Sequence, residues 1–137
     1  MHAKRVRSAD DIERLRVLRN EARHQMTGST KTITKKAQAA WWAEAPRRAW
    51  LFVQDDGEAI GFGYIKRDDH VNWITLGVTK AARGKGFGAL IYRTLGPAYA
   101  RIRNDNEASI RAAAKAGYLP VYSNQEEGVV VMTSCGQ

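Results

Sequence analysis

Apolar positions change rhythm along this chain, and each change predicts a different element. From Ser8 onward Ile12, Leu15, Leu18 and Ala22 recur at helical spacing, with Ser8 placed as an N-cap and Asp11 three residues on. A first helix is expected from there to about Gln25, after a short edge strand over Lys4 to Arg7. Residues 26–33 carry turn formers and mark a loop. Thr34 then caps a second helix that takes in Ala37, Ala40 and Trp41 and stops before Pro46. From Ala49 the period falls to two. WLFVQ, the turn Asp55-Asp56-Gly57 and EAIGFGYIK read as an antiparallel hairpin, residues 67–70 as the next turn, and Val71 to Val78 as the next strand. Gly61 and Gly63 alternate with Phe62 and Tyr64, so one face of that strand is nearly bare and open to close approach by another group.

The second half returns to helical spacing over Phe87 to Leu95, ending near Gly96-Pro97. A short strand over Ala98 to Arg103 comes next, then an alanine-rich helix over Asn106 to Lys115 closed by Gly117. Tyr118 to Tyr122 and Gly128 to Thr133 make two last strands around the turn SNQEE. The sum is an α/β (α+β) fold in a single domain over residues 1–137. It has about seven strands in a mostly antiparallel sheet, about four helices, and one βαβ crossover in the middle.

Charge narrows the class of partner. Twenty-two basic against fourteen acidic residues leave a net charge of +8, which favours an acidic ligand: a polyphosphate cofactor, a nucleotide-linked substrate or nucleic acid. Part of that charge lies on the first helix as Arg14, Arg16, Arg19 and Arg23, the ordinary look of a solvated helix face. The lone cysteine, Cys135, excludes an intrachain disulfide and a cysteine metal cluster, and no metal is expected. The N-terminal MHAKRVRSAD has no apolar run after it, and no segment approaches the roughly 18 apolar residues of a membrane span. A cytoplasmic protein without a membrane partner, monomeric or homodimeric, is the expectation.

The stretch with most chemistry is Trp73 to Leu95, WITLGVTKAARGKGFGALIYRTL. A strand, a basic glycine loop and a helix in that order point backbone amides and a helix N-terminus at one spot, where a phosphate would be held. A Walker A loop is excluded, because Thr79 stands where its first glycine belongs and Gly86 where its Ser or Thr belongs. Gly84, Gly86 and Ala89 satisfy the dinucleotide pattern G-x-G-x-x-A, with Asp105 at the end of the next strand. That fold, however, puts its fingerprint after the first strand of repeated βα units, and here the loop comes after an antiparallel hairpin.

A longer match takes in more residues. Val78 to Gly88, VTKAARGKGFG, resembles motif A of the GNAT family of acyl-CoA-dependent N-acetyltransferases, with Arg83, Gly86 and Gly88 at its Arg/Gln-x-x-Gly-x-Gly/Ala positions. Asn106-Glu107-Ala108-Ser109-Ile110-Arg111, followed by Lys115-Ala116-Gly117-Tyr118, resembles the family's motif B. The resemblance implies that Arg83, Gly84, Lys85, Gly86, Phe87 and Gly88 hold the pyrophosphate of acetyl-CoA. It also implies that the main chain of Leu76, Gly77 and Val78 holds the pantetheine and thioester, one amide serving as oxyanion donor, and that Asn106 and Ser109 touch the pantetheine.

The acid, the base and the acceptor site are less defined. A base is needed because an alkylamine of pKa near ~10 is mostly protonated in the cell. The strand position where the family often has a carboxylate is Asn72, and the motif B position of its usual tyrosine acid is Ala113. Titratable candidates for the base are Asp68, Asp69 and His70 at the preceding turn, and Glu21 and His24 near the end of the first helix. Tyr118, Tyr92 or water remain for the acid. His24, Trp41 and Trp42 are candidates for the acceptor site, although two adjacent tryptophans face different ways on a helix and packing accounts equally well for both. The expected activity is transfer of an acetyl group from acetyl-CoA to a primary amine of a small molecule, such as an amino sugar or a nucleotide-linked amine. A non-catalytic module of the same fold, binding acyl-CoA or an acidic partner, and transfer to protein or nucleic-acid amines are the alternatives.

Overall fold

The computed structural model describes residues 1–27, 30–44 and 48–135. In chain order the elements are β1 (His2–Arg5), α1 (Ala9–Glu21), α2 (Lys35–Glu44), β2 (Arg48–Val53), β3 (Ala59–Asp68), β4 (Val71–Val78), α3 (Phe87–Leu95), β5 (Tyr99–Arg103), α4 (Glu107–Lys115), β6 (Leu119–Asn124) and β7 (Val129–Thr133). Short 3₁₀ turns lie at Arg23–Gln25 and Lys80–Ala82. The strands form one sheet in the order β1-β2-β3-β4-β5-β7-β6, in which only β4 and β5 run parallel. The expected α/β architecture is therefore present. The expected end of the second helix before Pro46 lies outside the described residues.

Several boundaries differ from expectation for local reasons. The edge strand sits at His2–Arg5, although Val6 still donates to the Ala49 carbonyl at 2.9 Å. Helix α1 ends at Glu21 because the chain tightens there: Gln25 and Met26 donate to the carbonyls of Ala22 and Arg23, three residues back. Its start is as expected, with Ser8 accepting from the Asp11 amide and Asp11 from the Ser8 amide. Burial alone would raise the Asp11 pKa, but Lys4, 2.9 Å away, and the Arg7 and Ser8 amides outweigh it and hold the carboxyl below its ordinary value. The β3–β4 turn shrinks to Asp69-His70, both at positive φ (50° and 63°), as a two-residue hairpin requires. Strand β6 runs on past Tyr122, with Ser123 and Asn124 still paired to β7.

Alternation along the strands divides the core into two layers. Leu51, Val53 and Phe62 pack with Leu15 and Leu18 of α1 and with Ala22, its C-cap, on one face. Ile74, Ala100, Ile102 and Met132 pack with Tyr92 of α3 and Ala113 of α4 on the other. The bare face of β3 belongs to this second layer: a Cβ at Gly63 would lie 2.4 Å from the Leu95 side chain, and one at Gly61 2.9 Å from the Gly77 carbonyl and 3.1 Å from Ile91. Helix α3 is thus the group that approaches Gly63, while Gly61 lies between α3 and the backbone of β4. Gly61→Ala is expected to destabilise the fold by about 1–3 kcal/mol, because the carbonyl it meets is backbone and cannot turn aside. Denaturant midpoints would show this, and Gly57→Ala, at a turn with open space around it, serves as the contrast for pure backbone strain.

Candidate functional site

Parallel pairing between β4 and β5 covers only Trp73↔Tyr99 and Ile74↔Ala100. Beyond Ile74 the two strands part, and a cavity of about 420 Å³ opens between them, floored by α3 and α4. Thr79 donates to the Ile60 carbonyl at 2.9 Å, so the ladder to β3 uses Thr79 and, two residues apart, Gly77 and Thr75. The same alternation turns the amides and carbonyls of Leu76 and Val78 away from β3, toward the gap. A buried strand edge left unpaired in this way is a template for an extended, amide-bearing chain.

The glycine loop closes the outer end of the cavity. Gly84 and Gly86 have φ of +79° and +84°, the left-handed region that glycine enters without penalty, and Gly86 is the N-cap of α3. A Cβ at either would meet nothing within 4 Å in the free protein, so here backbone shape, and not crowding by the fold, requires glycine. Gly88 differs: a Cβ there would come 3.2 Å from the Ala112 Cβ, because the first turn of α3 lies against α4. Helix α3 thus presents free amides and its positive end to the cavity mouth, with no side-chain cap competing for them.

Cations surround this mouth. Arg83, Arg111 and Lys115 line the cavity, and Lys85 lies on the exposed loop. Arg83 donates to the Val78 carbonyl at 3.4 Å and to Gln25 Oε1 at 3.3 Å. Arg111 is 3.7 Å from Glu107, both well exposed. None of the described residues that line the cavity is an aspartate or glutamate. The mouth thus combines free amides with positive charge, a setting that suits a polyanion.

Asn106 and Ser109 both line the cavity, and they are also joined to each other. Asn106 caps α4 by accepting from the Ser109 amide at 3.2 Å, so its side chain has a structural task at the cavity edge. The Ser109 Oγ is 2.8 Å from the hydroxyl of Tyr92, which lines the cavity from α3. Burial pushes the Tyr92 pKa up to about 12, against the smaller opposing effect of the Ser109 hydrogen bond. In the sequence Tyr92 has no precedence over Tyr118, although its place five residues after Phe87 on a helix facing the sheet is a usable signal.

The remaining predicted residues are dispersed. Asp69 and His70 form the exposed tip of the β3–β4 hairpin, at the far end of β4 from Leu76–Val78, and do not line the cavity. Tyr118 is buried below α3, its hydroxyl donating to the Tyr92 carbonyl at 3.3 Å, and burial raises its pKa. His24 is exposed, and its carbonyl accepts from Arg103 at 2.6 Å, while its neighbours Gln25, Met26 and Thr27 line the cavity. Glu21 accepts from the Lys80 amide at 2.8 Å, tying α1 to the loop before the glycines. Trp41 stands edge-on to Tyr64 at 5.2 Å with Arg19 over its ring, and Trp42 lies 6.1 Å from Trp41. Both pack from α2 against the α1-side core, away from the cavity lining.

The two positions that break the sequence pattern have clear occupations. Asn72 Oδ1 accepts from Arg48 at 3.0 Å and from Arg67 at 3.3 Å, an exposed clamp across three strands. Ala113 is fully buried in the core below the cavity.

Known proteins agree with this construction. The fold overlays on spermidine N-acetyltransferase from Vibrio cholerae in complex with CoA and spermine, at 11% identity and a TM-score of 0.71, covering 96% of this chain and 91% of that one. A phosphinothricin acetyltransferase from Sinorhizobium meliloti in complex with AcCoA gives 15% identity, a TM-score of 0.73 and coverage of 96% and 87%. AAC(6')-Ib in complex with ribostamycin and coenzyme A gives 18%, 0.73, 98% and 94%. At such identities the likeness is one of fold. No curated protein sequence matches the chain. The model of the acetyltransferase (GNAT) family matches residues 13–118, most of the chain and all of the glycine loop, and the protein belongs to that family.

Proposed function

We propose that the protein is an N-acetyltransferase that moves an acetyl group from acetyl-CoA to a primary amine of a small molecule. One observation carries this: the gap between β4 and β5 joins an unpaired strand edge at Leu76–Val78 to an amide-rich loop at Gly84–Gly88. An amide-bearing arm ending in a diphosphate matches both parts at once. Proteins of the same fold hold CoA or AcCoA, which fits that match.

Acetyl-CoA, when bound, supplies an activated acyl group. Every other contribution comes from this chain. The loop amides and the α3 N-terminus hold negative charge, with Arg83 beside them. The Leu76 and Val78 amides face the gap and stabilise charge that develops on an acyl oxygen there. Tyr92, protonated at all ordinary pH values and in contact with Ser109, donates a proton to the sulfur as it leaves and recovers one through water, which takes up the proton of the amine. The acceptor enters from the α1 side of the sheet, where Gln25 to Thr27 form the rim. Its proton leaves through water, because no carboxylate or histidine lines the cavity among the described residues.

Calorimetry with acetyl-CoA is expected to give one site at micromolar affinity or better, with binding that weakens as salt rises. Thiol release across amino sugars, amino acids, polyamines and amine-bearing nucleotides then tests turnover. Tight binding with every amine inert would favour the non-catalytic module, for which Asn72 and Ala113 are the supporting residues. Absence of binding would sink the acetyltransferase and the acyl-CoA-binding module alike, and would leave only a module for another acidic partner.

A further inference from the structure

The charge of the site bears on the choice of acceptor, an inference that rests on the acetyltransferase reading. Along β5, Ala100 and Ile102 point into the core with α3 and α4, so Tyr99, Arg101 and Arg103 share the opposite face, toward α1. Pairing with β4 stops at Ala100, which makes Arg101 the first residue of β5 past the point where the strands part. Its guanidinium lies 5.2 Å from the centre of the Trp73 ring, and Trp73 in turn is 5.7 Å from Tyr99. Arg101 lines the cavity and is exposed. Among the described residues it has no ion-pair partner.

Arg103, two residues on, is different. It is bound to Asp105 through two hydrogen bonds of 3.0 and 2.8 Å and donates to the His24 carbonyl, so its charge is already met. The uncompensated cation at the closed end of the gap is therefore Arg101. The phosphate-binding loop is not its natural partner, because the steps along β4 from Thr75 to Val78 alone span about 10 Å. An acceptor carrying only ammonium groups would meet Arg101 with no acidic cavity residue to offset the repulsion. An acceptor with its own anionic group beside the amine would instead bring a partner for the guanidinium.

We propose that Arg101, held on Trp73, is an anion subsite of the acceptor pocket, and that the preferred acceptor is a primary amine bearing a carboxylate or a phosphate near the amine. Polyamines are disfavoured. The aromatic pair keeps the guanidinium on the α1 side of the sheet, where an acceptor reaches the end of the gap.

Matched pairs of amines test this: phenylalanine against phenethylamine for the carboxylate, and phosphoethanolamine against ethanolamine for the phosphate, with spermidine as a third arm. In the native protein the anionic member of at least one pair is expected to have the higher kcat/KM by tenfold or more, and which pair shows it identifies the anion. In Arg101→Gln that ratio falls to within about threefold of unity. A second readout needs no turnover: 3-phenylpropionate and inorganic phosphate are titrated into the native protein and into Arg101→Gln, and the preferred anion binds at least fivefold more weakly to the variant. Equal thermal midpoints show that the exposed substitution leaves the fold intact. An unchanged ratio in Arg101→Gln overturns the subsite. Spermidine as the best acceptor, with its kcat/KM lost in Glu127→Gln, does so too and moves recognition to the neighbouring recess lined by Glu127 and Asp105. Turnover of the neutral amines with both anionic ones inert defeats the subsite and leaves the acetyltransferase standing, whereas acetyl-CoA binding with no amine turned over and neither anion bound defeats both.

Discussion

Gly86→Trp is expected to abolish measurable acetyl-CoA binding while the chain still folds. Gly86 adopts φ +84° and has nothing within 4 Å of where a Cβ would be, so the first atom of a side chain there meets open space. The cost to the fold is that of a left-handed non-glycine residue, about 1–2 kcal/mol, or a fall of a few degrees in the thermal midpoint. The cost to binding is larger. The indole would stand in the cavity mouth, over the amides of the α3 N-terminus that have no side-chain cap. Loss of those contacts together with steric exclusion is expected to raise Kd by more than about 100-fold, roughly 2.7 kcal/mol. Gly86→Ala separates the two effects, because it keeps the backbone strain without the bulk, and its binding should fall only several-fold. Calorimetry beside thermal unfolding reads both quantities. An unchanged affinity in Gly86→Trp would mean that the loop does not hold the ligand.

The strand, loop and helix proposed to hold the donor are legible in the sequence because they are local. Residues 73–95 run continuously through strand, loop and helix, and each carries a backbone requirement that residue type reveals: positive φ at Gly84 and Gly86, close helix packing at Gly88. Gly61 and Gly63 are legible as bare positions, but their neighbour is not, since Ile91 and Leu95 meet them only through the crossover of α3 onto the sheet. The acceptor half depends on such long-range placement throughout. Asp69 and His70 look close to the site in sequence, yet a strand puts its two ends far apart, and the cavity opens only beyond Ile74. Trp41 and Trp42 read equally well as pocket or packing residues, and the choice turns on Tyr64 and Arg19, which come to Trp41 from β3 and α1. Arg101 carries no signal at all in the sequence. The role proposed for it arises from where β4 and β5 part, which no spacing of residues records.

Tyr92→Phe is the change expected to affect turnover most while leaving donor binding in place. The substitution keeps the ring, which packs 5.0 Å from that of Tyr118, and removes only the hydroxyl that meets Ser109 at 2.8 Å. A thiol of ordinary pKa near ~8.5 is mostly protonated at neutral pH, so its departure there gains from a proton donor. Tyr92, with its pKa pushed up to about 12, keeps its proton well above that range and can act only as a donor. A drop in kcat of about 10²-fold at pH 7 is therefore expected, at the low end for a lost general acid, with acetyl-CoA affinity changed by less than about threefold. The deficit should shrink as pH rises. Past ~8.5 the free thiolate becomes the stable product, the donor matters less, and the variant approaches the native rate. Stopped-assay kcat values from pH 6.5 to 9.5 for both proteins would show the two curves converging. A deficit of constant size across that range would reduce Tyr92 to a packing residue. No deficit at pH 7 would leave protonation of the sulfur to water. Restoring a tyrosine at Ala113 is no remedy, because that position is fully buried among Tyr92, Tyr118 and Ile102, and the larger side chain would have to displace the core that holds Tyr92 in place.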